Sequence, residues 1–384
     1  MVFFLLSKRA IIRQVIYVKK VVIGMSGGVD SSVAAIKLIE QGYEVIGLFM
    51  RNWDAGVNND ILGNPTLTNN ICPQEQDYND ALSVCKKIGI PLHRIDFVKE
   101  YWDYVFTYFL DELKKGRTPN PDIMCNKYIK FDMFVKEAKK LGADFIATGH
   151  YARIKNNKLL RAIDDNKDQT YFLSQLSKKQ LENVLFPIGD LKKPEVRKIA
   201  EEHNLITARK KDSTGICFIG ERHFKDFLKN YLPNIPGDII NIETKKRVGE
   251  HIGLMYYTIG QRKGLDIGGT KDRLFVVGKD IEKNILYVAE GEDNKYLISD
   301  SAVIENVNWI SENKPKKCTA KFRYRQPDNE VEIEFVNDEI IVKYPEGVKS
   351  VTPGQACVFY DNEECLGGGI IKEVRKNNAK LWYL

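Results

Sequence analysis

The first half of the chain alternates short apolar runs with segments that carry apolar residues at helical spacing. An apolar run at residues 21–23 is followed by helical spacing as far as Gln41, and a second apolar run covers residues 43–50. A helical segment at 74–88 and an apolar run at 90–97 continue the alternation. Strands that alternate with helices form parallel sheets. We therefore predict an α/β domain with a doubly wound parallel sheet.

The pattern changes to short alternating strands from about residue 224. Apolar residues are frequent at 238–242 and at 253–258, on the far side of a proline-rich turn. Further runs with strand periodicity follow from about residue 303, which predicts a small antiparallel β-barrel. The predicted organisation is an uncertain extension at 1–17, a catalytic domain at 18–220, a central β-rich domain at 221–298 and the barrel at 299–384.

A glycine-rich turn joins the first predicted strand to the first predicted helix. Gly27 and Gly28 can adopt positive φ, so that successive backbone N–H groups converge on an anion. Ser26 and Ser31 add hydroxyl donors at the start of a helix, where a phosphate binds favourably. The turn lacks the Gly-Lys-Ser/Thr ending of a Walker A motif, which argues against a kinase of that type. The alternative is a tight structural turn without a ligand.

Two cysteines lie in unusual loops. Cys125 follows a loop with two prolines and precedes a helix predicted to begin at Lys127, and Asp122 lies just before it. Cys217 follows consecutive basic residues at 209–211. A helix N-terminus and nearby cations lower the pKa of a thiol and favour the reactive thiolate. Both cysteines are candidate reactive groups, with Asp122 as a candidate general acid or base. A packed structural cysteine and a solvated charge run are the alternatives.

Gly149 and His150 follow the strand predicted at 144–148. Ligands bind at the carboxyl ends of strands in open parallel sheets, so His150 is a candidate ligand-facing residue. The alternative is a buried structural histidine. A polar cluster at 167–170 is predicted to cap the helix at 171–176.

Composition narrows the classes of function. The 384 residues are 43% hydrophobic and 29% charged, and no apolar run is long enough to span a bilayer. The 58 basic and 52 acidic residues give a formal net charge of +6, which suits a polyanionic partner without establishing one. Seven cysteines without zinc or disulfide spacing predict no metal site and a reducing, cytoplasmic location. The basic segment before Val18 is interpreted as an extension rather than as a targeting signal.

Taken in order, these motifs resemble the bacterial tRNA-specific 2-thiouridylase family, MnmA, of the ATP pyrophosphatase superfamily. The resemblance extends from about Val18 to the C-terminus. It implies a nucleotide-binding domain of the adenine nucleotide alpha hydrolase type, a small central domain and a C-terminal barrel. The matching segments are 26–32, 120–127, 147–151, 167–173, 211–220, 257–262 and 322–326.

The resemblance also implies a reaction. Members of the family use ATP and Mg²⁺ to adenylate the C2 oxygen of the wobble uridine in glutamate, glutamine and lysine tRNAs, and then replace that oxygen with sulfur. Cys125 would be the nucleophile, Cys217 the persulfide carrier and Asp122 the general acid or base. A cysteine desulfurase or a sulfur-relay protein would donate the persulfide, and a Cys125–Cys217 disulfide would form during transfer.

The resemblance assigns two groups of binding residues. ATP would contact Gly24, Met25, Ser26, Gly27, Gly28, Val29, Asp30, Ser31, Met50 and Gly149. The tRNA would contact Asn120, Pro121, Asp122, His150, Lys167, Asp168, Gln169, Arg323, Tyr324 and Gln355.

Three alternatives stay open at this point. An amide-forming ligase or synthetase would share the anion-binding loop but needs an ammonia or amino-acid site in place of two thiols. A non-catalytic tRNA-binding protein would retain only the nucleotide fold. Within the thiolation reaction, Cys125, Cys217 and Asp122 would hold an iron–sulfur cluster in place of a persulfide.

Overall fold

The computed structural model describes residues 18–62, 64, 73–212, 224–269, 272–337 and 339–384. The strands are β1 Lys20–Gly24, β2 Glu44–Arg51, β3 Leu92–Asp96, β4 Phe145–Ala147, β5 Arg153–Lys155, β6 Lys158–Leu160, β7 Val184–Leu185, β8 Gly237–Asn241, β9 Arg247–His251, β10 Leu274–Asp280, β11 Ile285–Glu290, β12 Ile298–Trp309, β13 Lys317–Lys321, β14 Asn329–Val336, β15 Glu339–Lys349, β16 Ala356–Asp361, β17 Glu364–Lys376 and β18 Ala379–Lys380. The α-helices are α1 Val29–Glu40, α2 Pro73–Ile88, α3 Val98–Tyr101, α4 Thr107–Lys114, α5 Pro121–Met124, α6 Phe134–Lys140, α7 Thr170–Leu173, α8 Lys178–Leu181, α9 Lys193–Glu202 and α10 Phe224–Leu228. The π-helical segments are Trp102–Phe106 and Cys125–Met133, and the 3₁₀ segments are Leu254–Tyr256 and Lys295–Leu297. None of the helices in these ranges has the length and apolar character needed to cross a membrane.

Five strands form a parallel sheet in the order β3-β2-β1-β4-β7. Val21 of β1 lies opposite Val45 on one side and opposite Phe145 on the other. Val21, Val22 and Ile23 are fully buried, as expected for a central strand of a parallel sheet covered on both faces. The prediction of a doubly wound α/β sheet is confirmed. The strand order reverses between β1 and β4, and open α/β sheets bind ligands beside such a reversal.

The helix that carries Cys125 begins earlier than the sequence analysis predicts. It begins at Pro121 rather than at Lys127 because Asn120 caps it, with Asn120 Oδ1 accepting a hydrogen bond from the Asp122 backbone N–H at 3.1 Å. Proline at the first helical position favours the same start. The helix then continues through the π-helical segment into α6. The predicted boundary is therefore wrong, and Cys125 lies in the second turn of a helix.

The central region contains a mixed four-stranded sheet in the order β10-β11-β8-β9. β8 agrees with the apolar run at 238–242. The strand expected at 253–258 is wrong, because residues 254–256 form a 3₁₀ turn. Gly253 has φ +146°, a conformation that other residues rarely adopt, and it bends the chain at this point.

Six antiparallel strands close into a barrel in the order β12-β15-β14-β13-β16-β17, with β17 pairing back to β12. Phe322, Tyr344 and Phe359 are fully buried in its core. The predicted C-terminal antiparallel barrel is confirmed. The hairpin formed by β5 and β6 pairs with it, since Leu160 lies opposite Glu364 of β17. This pairing ties the first domain to the barrel.

Candidate active site at the carboxyl edge of the parallel sheet

A cavity of about 720 Å³ opens beside the carboxyl ends of β1 and β4. Its wall includes Ser26 and Asp30 from the glycine-rich turn and the start of α1, and Asp122 from the start of α5. Lys167 and the barrel residue Tyr324 complete the opposite side. The fold therefore brings the predicted anion loop and the predicted general acid or base into one site. The same site contains six of the predicted tRNA contacts, which are Asn120, Pro121, Asp122, Lys167, Gln169 and Tyr324.

The glycine-rich turn is held in shape by its own hydrogen bonds. Gly27 has φ +71°, and a Cβ atom there would lie 2.2 Å from the Asp77 carbonyl oxygen, so only glycine fits. The Ser26 backbone N–H donates to Ser31 Oγ at 3.2 Å, and Ser31 Oγ donates to the Gly28 carbonyl oxygen at 3.2 Å. The turn leads into α1, a helix of 12 residues whose N-terminal dipole favours an anion.

Two further glycines mark close approaches beside the turn. A Cβ atom on Gly149 would lie 2.7 Å from the Ser31 backbone nitrogen, so the segment after β4 packs directly on the first turn of α1. A Cβ atom on Gly24 would lie 3.7 Å from Met50 Cε, which places the Met50 side chain beside β1. Met25 is buried in the core. Packing of the chain itself thus explains why residue 149 is glycine.

Asp30, at the start of α1, pairs with a buried lysine. Asp30 Oδ1 accepts hydrogen bonds from Tyr151 Oη at 2.9 Å and from Lys193 Nζ at 2.7 Å. Lys193 is the first residue of α9 and is only 8% exposed. Lys193 is a residue of the site that the local sequence pattern does not indicate. The available signal is its position at a helix start marked by Pro194.

Asp212 forms ion pairs with three cationic side chains at the cavity wall. Lys167 Nζ lies 2.7 Å from Asp212 Oδ2, and Lys193 Nζ and Arg197 Nη2 each lie 2.8 Å from Oδ1. Burial of the Asp212 carboxyl opposes its ionisation, but the hydrogen bonds from Lys167 and Lys193 outweigh burial and lower its pKa to about 2. Asp212 is therefore ionised throughout the neutral range.

Lys210 links the glycine-rich turn to α2 through hydrogen bonds. Its Nζ donates to the Gly27 carbonyl oxygen at 3.0 Å and to Asp77 Oδ1 at 2.7 Å. Together with Lys193, it places ammonium groups around the turn, and such groups bind phosphate oxygens strongly. The basic run at 209–211 therefore contributes a lysine to the anion loop.

Asp122 and Cys125 lie on the first two turns of one helix. Asp122 lines the cavity, and burial raises the pKa of its carboxyl group although the nearby Lys130 opposes that change. The Cys125 side chain is fully buried, with 0% exposed. Thiol chemistry at Cys125 therefore requires the covering residues to move. Cys217 lies outside the described residues, so the predicted meeting of the two cysteines is not tested.

Comparisons with known proteins decide the family. The tRNA-specific 2-thiouridylase MnmA of Mesoplasma florum is 60% identical over 368 residues, which cover 92% of this chain and 98% of the relative. The proteins of the same name from Mycoplasmopsis synoviae and Bacillus cytotoxicus are 58% and 56% identical, each over 95% of this chain and over 99% and 98% of their own lengths. This chain belongs to the MnmA family.

Three family models match the chain in succession. The model described as the tRNA methyl transferase HUP domain covers residues 19–221, more than half of the chain. The tRNA methyl transferase PRC-barrel domain covers 225–290, and the aminomethyltransferase beta-barrel domain covers 299–371. These ranges contain the parallel sheet, the mixed central sheet and most of the closed barrel of this MnmA family member.

His150 is buried between aromatic rings in this member of the MnmA family. Its Nδ1 lies 2.7 Å from Thr148 Oγ1, and its Nε2 lies 3.4 Å from Lys130 Nζ. Burial and the charge of Lys130 lower the pKa of His150 well below its ordinary value, so the ring is neutral at neutral pH. This environment fits the alternative of a buried structural histidine. A contact between His150 and tRNA stays a prediction and requires the ring to be uncovered.

Asp168 and Gln169 hold the protein chain beside the cavity. Asp168 Oδ2 accepts a hydrogen bond from Thr170 Oγ1 at 2.7 Å. Burial raises the pKa of Asp168, although this hydrogen bond lowers it. Gln169 Oε1 accepts a hydrogen bond from the Tyr151 backbone N–H at 2.9 Å. In the predicted cluster, Lys167 supplies the cationic group at the cavity wall.

Arg323 and Gln355 join the barrel to its neighbours. Arg323 Nη2 donates to the Ile259 carbonyl oxygen of the central region at 2.6 Å. Gln355 Nε2 donates to the Thr118 carbonyl oxygen at 2.6 Å, just before the helix of Asp122. Both side chains are thus engaged within the protein, and their predicted contacts with tRNA stay predictions of the MnmA resemblance.

Proposed function

We propose that the protein replaces the C2 oxygen of the wobble uridine in glutamate, glutamine and lysine tRNAs with sulfur, in a reaction that consumes ATP. Membership of the MnmA family supports this activity, since the relatives are named for it. The observation that carries the proposal is the single cavity that joins the anion loop at Ser26 to the helix start at Asp122. An activated base and the groups that act on it need one such space.

The turn and its lysines suit the phosphates of ATP. The backbone N–H groups of residues 27 and 28 and the α1 dipole would bind the phosphates, and Lys193 and Lys210 would neutralise them. Residues 24–31 and Gly149 would surround the nucleotide, with Met50 next to the adenine. When bound, ATP supplies the adenylyl group that turns the C2 oxygen of the uracil into a leaving group.

Mg²⁺ would enter with the phosphates of ATP. In the described part of the chain, no three His, Cys, Asp or Glu side chains are grouped so that they could hold a metal ion. Mg²⁺ commonly binds through one or two carboxylates and substrate phosphates, without a full protein cage. Asp30 lines the cavity at the turn, and its carboxylate would share such an ion with the phosphates.

Sulfur transfer would use Asp122 and the two cysteines. The raised pKa of Asp122 suits a group that both holds and releases a proton. Attack of the Cys125 thiolate on a Cys217 persulfide forms a Cys125–Cys217 disulfide and releases hydrosulfide, which displaces AMP at C2. In the second route, the terminal persulfide sulfur displaces AMP, and Cys125 then attacks the Cys217 sulfur, which gives the same disulfide and the thiolated base. A dithiol reductant restores both thiols in either route.

The partners follow from this chemistry. Sulfur on Cys217 requires a persulfide donor, such as a cysteine desulfurase or a sulfur-relay protein. The wobble base must leave the anticodon stack to reach the cavity, which is how proteins commonly read single-stranded RNA loops. Lys167 and Tyr324 at the cavity wall supply a cation and an aromatic ring for such a base. Thiol chemistry and a tRNA substrate would require a reducing compartment that contains tRNA, which is the cytoplasm.

Thiolation of an unmodified anticodon stem-loop tests the proposal. The expected result is 2-thiouridine in the nuclease digest, detected by mass spectrometry, only when ATP and a persulfide donor are both present. An amide product would instead indicate a ligase, and RNA binding without pyrophosphate release would indicate a non-catalytic protein. Iron analysis of anaerobically purified protein separates the persulfide route from an iron–sulfur route.

A further inference from the structure

The ammonium group of Lys193 lies between two carboxylates, Asp30 and Asp212, that line the cavity. Lys193 Nζ is 2.7 Å and 2.8 Å from the two Asp30 oxygens and 2.8 Å from Asp212 Oδ1. The Lys193 backbone N–H donates to Asp164 Oδ2 at 2.8 Å, which fixes the start of α9. Lys193 is only 8% exposed, and these contacts hold its backbone and its ammonium group beside Asp30. Its position beside Asp30 is therefore set by the fold.

Asp212 has one negative charge but forms ion pairs with three cationic side chains. The single Asp212 carboxylate contacts Lys167, Lys193 and Arg197, each within 2.8 Å. The Asp212 side chain keeps 29% of its surface exposed and lines the cavity. An anion that entered the cavity from solvent would therefore compete with the Asp212 carboxylate for the same three cations.

The charged side chains that line the cavity are balanced. The cationic ones are Lys167, Lys210, Lys211 and Arg325, and the acidic ones are Asp30, Asp77, Asp122 and Asp212. A triphosphate adds several negative charges to a wall that has no surplus of positive charge among these described residues. Binding therefore favours the release of lysine ammonium groups from one of the wall carboxylates.

We propose that Asp212 and the nucleotide phosphates compete for Lys193 and Lys167, so that the two lysines are phosphate ligands and Asp212 weakens ATP binding. This inference rests on the proposed function, since it concerns ATP at the same site. Lys193 can keep its contact with Asp30 while it exchanges Asp212 for a phosphate oxygen. Because the pKa of Asp212 is about 2, protonation does not relieve the competition near neutral pH.

The opposite role for Asp212 predicts the opposite sign. If the carboxylate served to orient Lys167 and Lys193 toward the phosphates, its removal would weaken ATP binding. If it competes with them, its removal strengthens ATP binding. The sign of one affinity change therefore separates competition from orientation.

The experiment measures dissociation constants of the full-length protein for Mg²⁺-ATP, inorganic pyrophosphate and adenosine by titration calorimetry. We expect Asp212→Asn to bind ATP and pyrophosphate about fivefold to tenfold more tightly, the scale of one charge-assisted hydrogen bond. Adenosine binding should not change, because adenosine carries no phosphate. Lys193→Gln should weaken ATP and pyrophosphate binding by at least about tenfold.

Matched variants control for charge and folding. Asp212→Glu keeps the carboxylate and should show no gain in ATP affinity. Lys198→Gln, on the same helix but with a side chain that is 76% exposed, should bind ATP as the wild type does. Asp212→Ser provides a second neutral variant should the asparagine variant fold poorly, and thermal unfolding confirms which variants are folded.

Equal or weaker ATP binding by the folded neutral variants would overturn the inference while the wild type still binds ATP and thiolates RNA. Failure of the wild type to bind ATP would contradict the proposed function and this inference together. Tighter binding of adenosine as well as ATP would also overturn it, because the gain would not involve phosphates.

Discussion

The thiol of Cys125 and the carboxyl group of Asp122 lie on consecutive turns of one helix but at different depths. Asp122 borders the cavity, whereas Cys125 is packed in the hydrophobic core. Cysteine reactivity depends on access as well as on pKa. The fold therefore shields the Cys125 thiol, and the proposed thiol chemistry would require movement of the helix or of the residues that cover it.

At the residue scale, we expect Cys125→Ser to abolish 2-thiouridine formation without a change in ATP affinity. The hydroxyl group fills nearly the same space but cannot form or resolve a bond to the transferred sulfur. Quantification of 2-thiouridine by mass spectrometry measures the effect. Cys85→Ser is the matched control, because burial raises the pKa of the Cys85 thiol to about 12 and leaves it inert. Wild-type thiolation by Cys125→Ser would remove this residue from the mechanism.

Residue types and their local spacing indicate candidate site residues, but they do not indicate the surroundings of those residues in the fold. Cys125 and Asp122 are recognisable because a thiol and an acid follow two prolines, yet the burial of Cys125 depends on the helix that Asn120 begins. Lys193 was missed because its partner Asp30 is 163 positions away in the chain. A contact of that separation is made by the fold and leaves no local pattern.

At the scale of elements, the segment before α5 forms hydrogen bonds with two other domains, the barrel and the central sheet. The Thr118 backbone N–H donates to the Pro353 carbonyl oxygen at 2.9 Å, and Gln355 donates to the Thr118 carbonyl oxygen. Lys279 Nζ, on β10 of the central sheet, donates to the Gly116 carbonyl oxygen at 2.9 Å. The barrel and the central sheet together therefore position the helix start that presents Asp122.

We expect Gln355→Ala to lower kcat for thiolation with little change in the KM for tRNA. The lost hydrogen bond to Thr118 is worth about 1 kcal/mol and loosens the segment that positions Asp122. Steady-state kinetics with a full-length tRNA measure both constants, and Glu330→Gln at an exposed barrel position is the control. A raised KM at constant kcat would instead favour the predicted contact between Gln355 and tRNA.

The hydrogen bond from Lys279 to the Gly116 carbonyl oxygen is expected to depend on pH. Burial lowers the pKa of this lysine, which is 8% exposed, to about 7. Above that pH the folded protein has released a proton that the unfolded chain still holds, so the stability contributed by this site rises with pH. Below it both states are protonated and the contribution is constant.

We therefore expect the free energy of unfolding of the wild type, relative to Lys279→Met, to rise by an amount on the order of 2 kcal/mol between about pH 6 and about pH 9. Thermal and denaturant unfolding at the two pH values measure this difference. Lys283→Met is the control, because that lysine is exposed and should show no trend in this interval. A difference that is independent of pH would show that Lys279 keeps an ordinary pKa.

At the scale of the whole molecule, periodicity predicted the sheet classes but not how they join. The parallel sheet and the barrel follow from alternating apolar runs, and both are confirmed. The pairing of Leu160 with Glu364 and the closure of β12 on β17 join strands that are distant in sequence. The 3₁₀ turn after Gly253 was missed because its leucine, methionine and tyrosine are also common in strands.

The affinity for tRNA should fall steeply as salt concentration rises, because lysine and arginine contacts to phosphates release counterions. A plot of the logarithm of the binding constant against the logarithm of salt concentration measures the slope. The affinity for adenosine, which has no phosphate, provides the flat reference. A tRNA affinity that is equally insensitive to salt would contradict binding through lysine and arginine contacts to the phosphates of tRNA.

The most direct test of the account is the stoichiometry of sulfur and AMP in one reaction. The full-length protein is incubated with an unmodified anticodon stem-loop, ATP and a persulfide donor, and 2-thiouridine and AMP are both quantified. If the base is activated by ATP in the cavity that Asp122 borders, the two products appear in equal amounts and neither appears without RNA. Sulfur incorporation without AMP, or AMP without sulfur in the RNA when all components are present, would contradict the account.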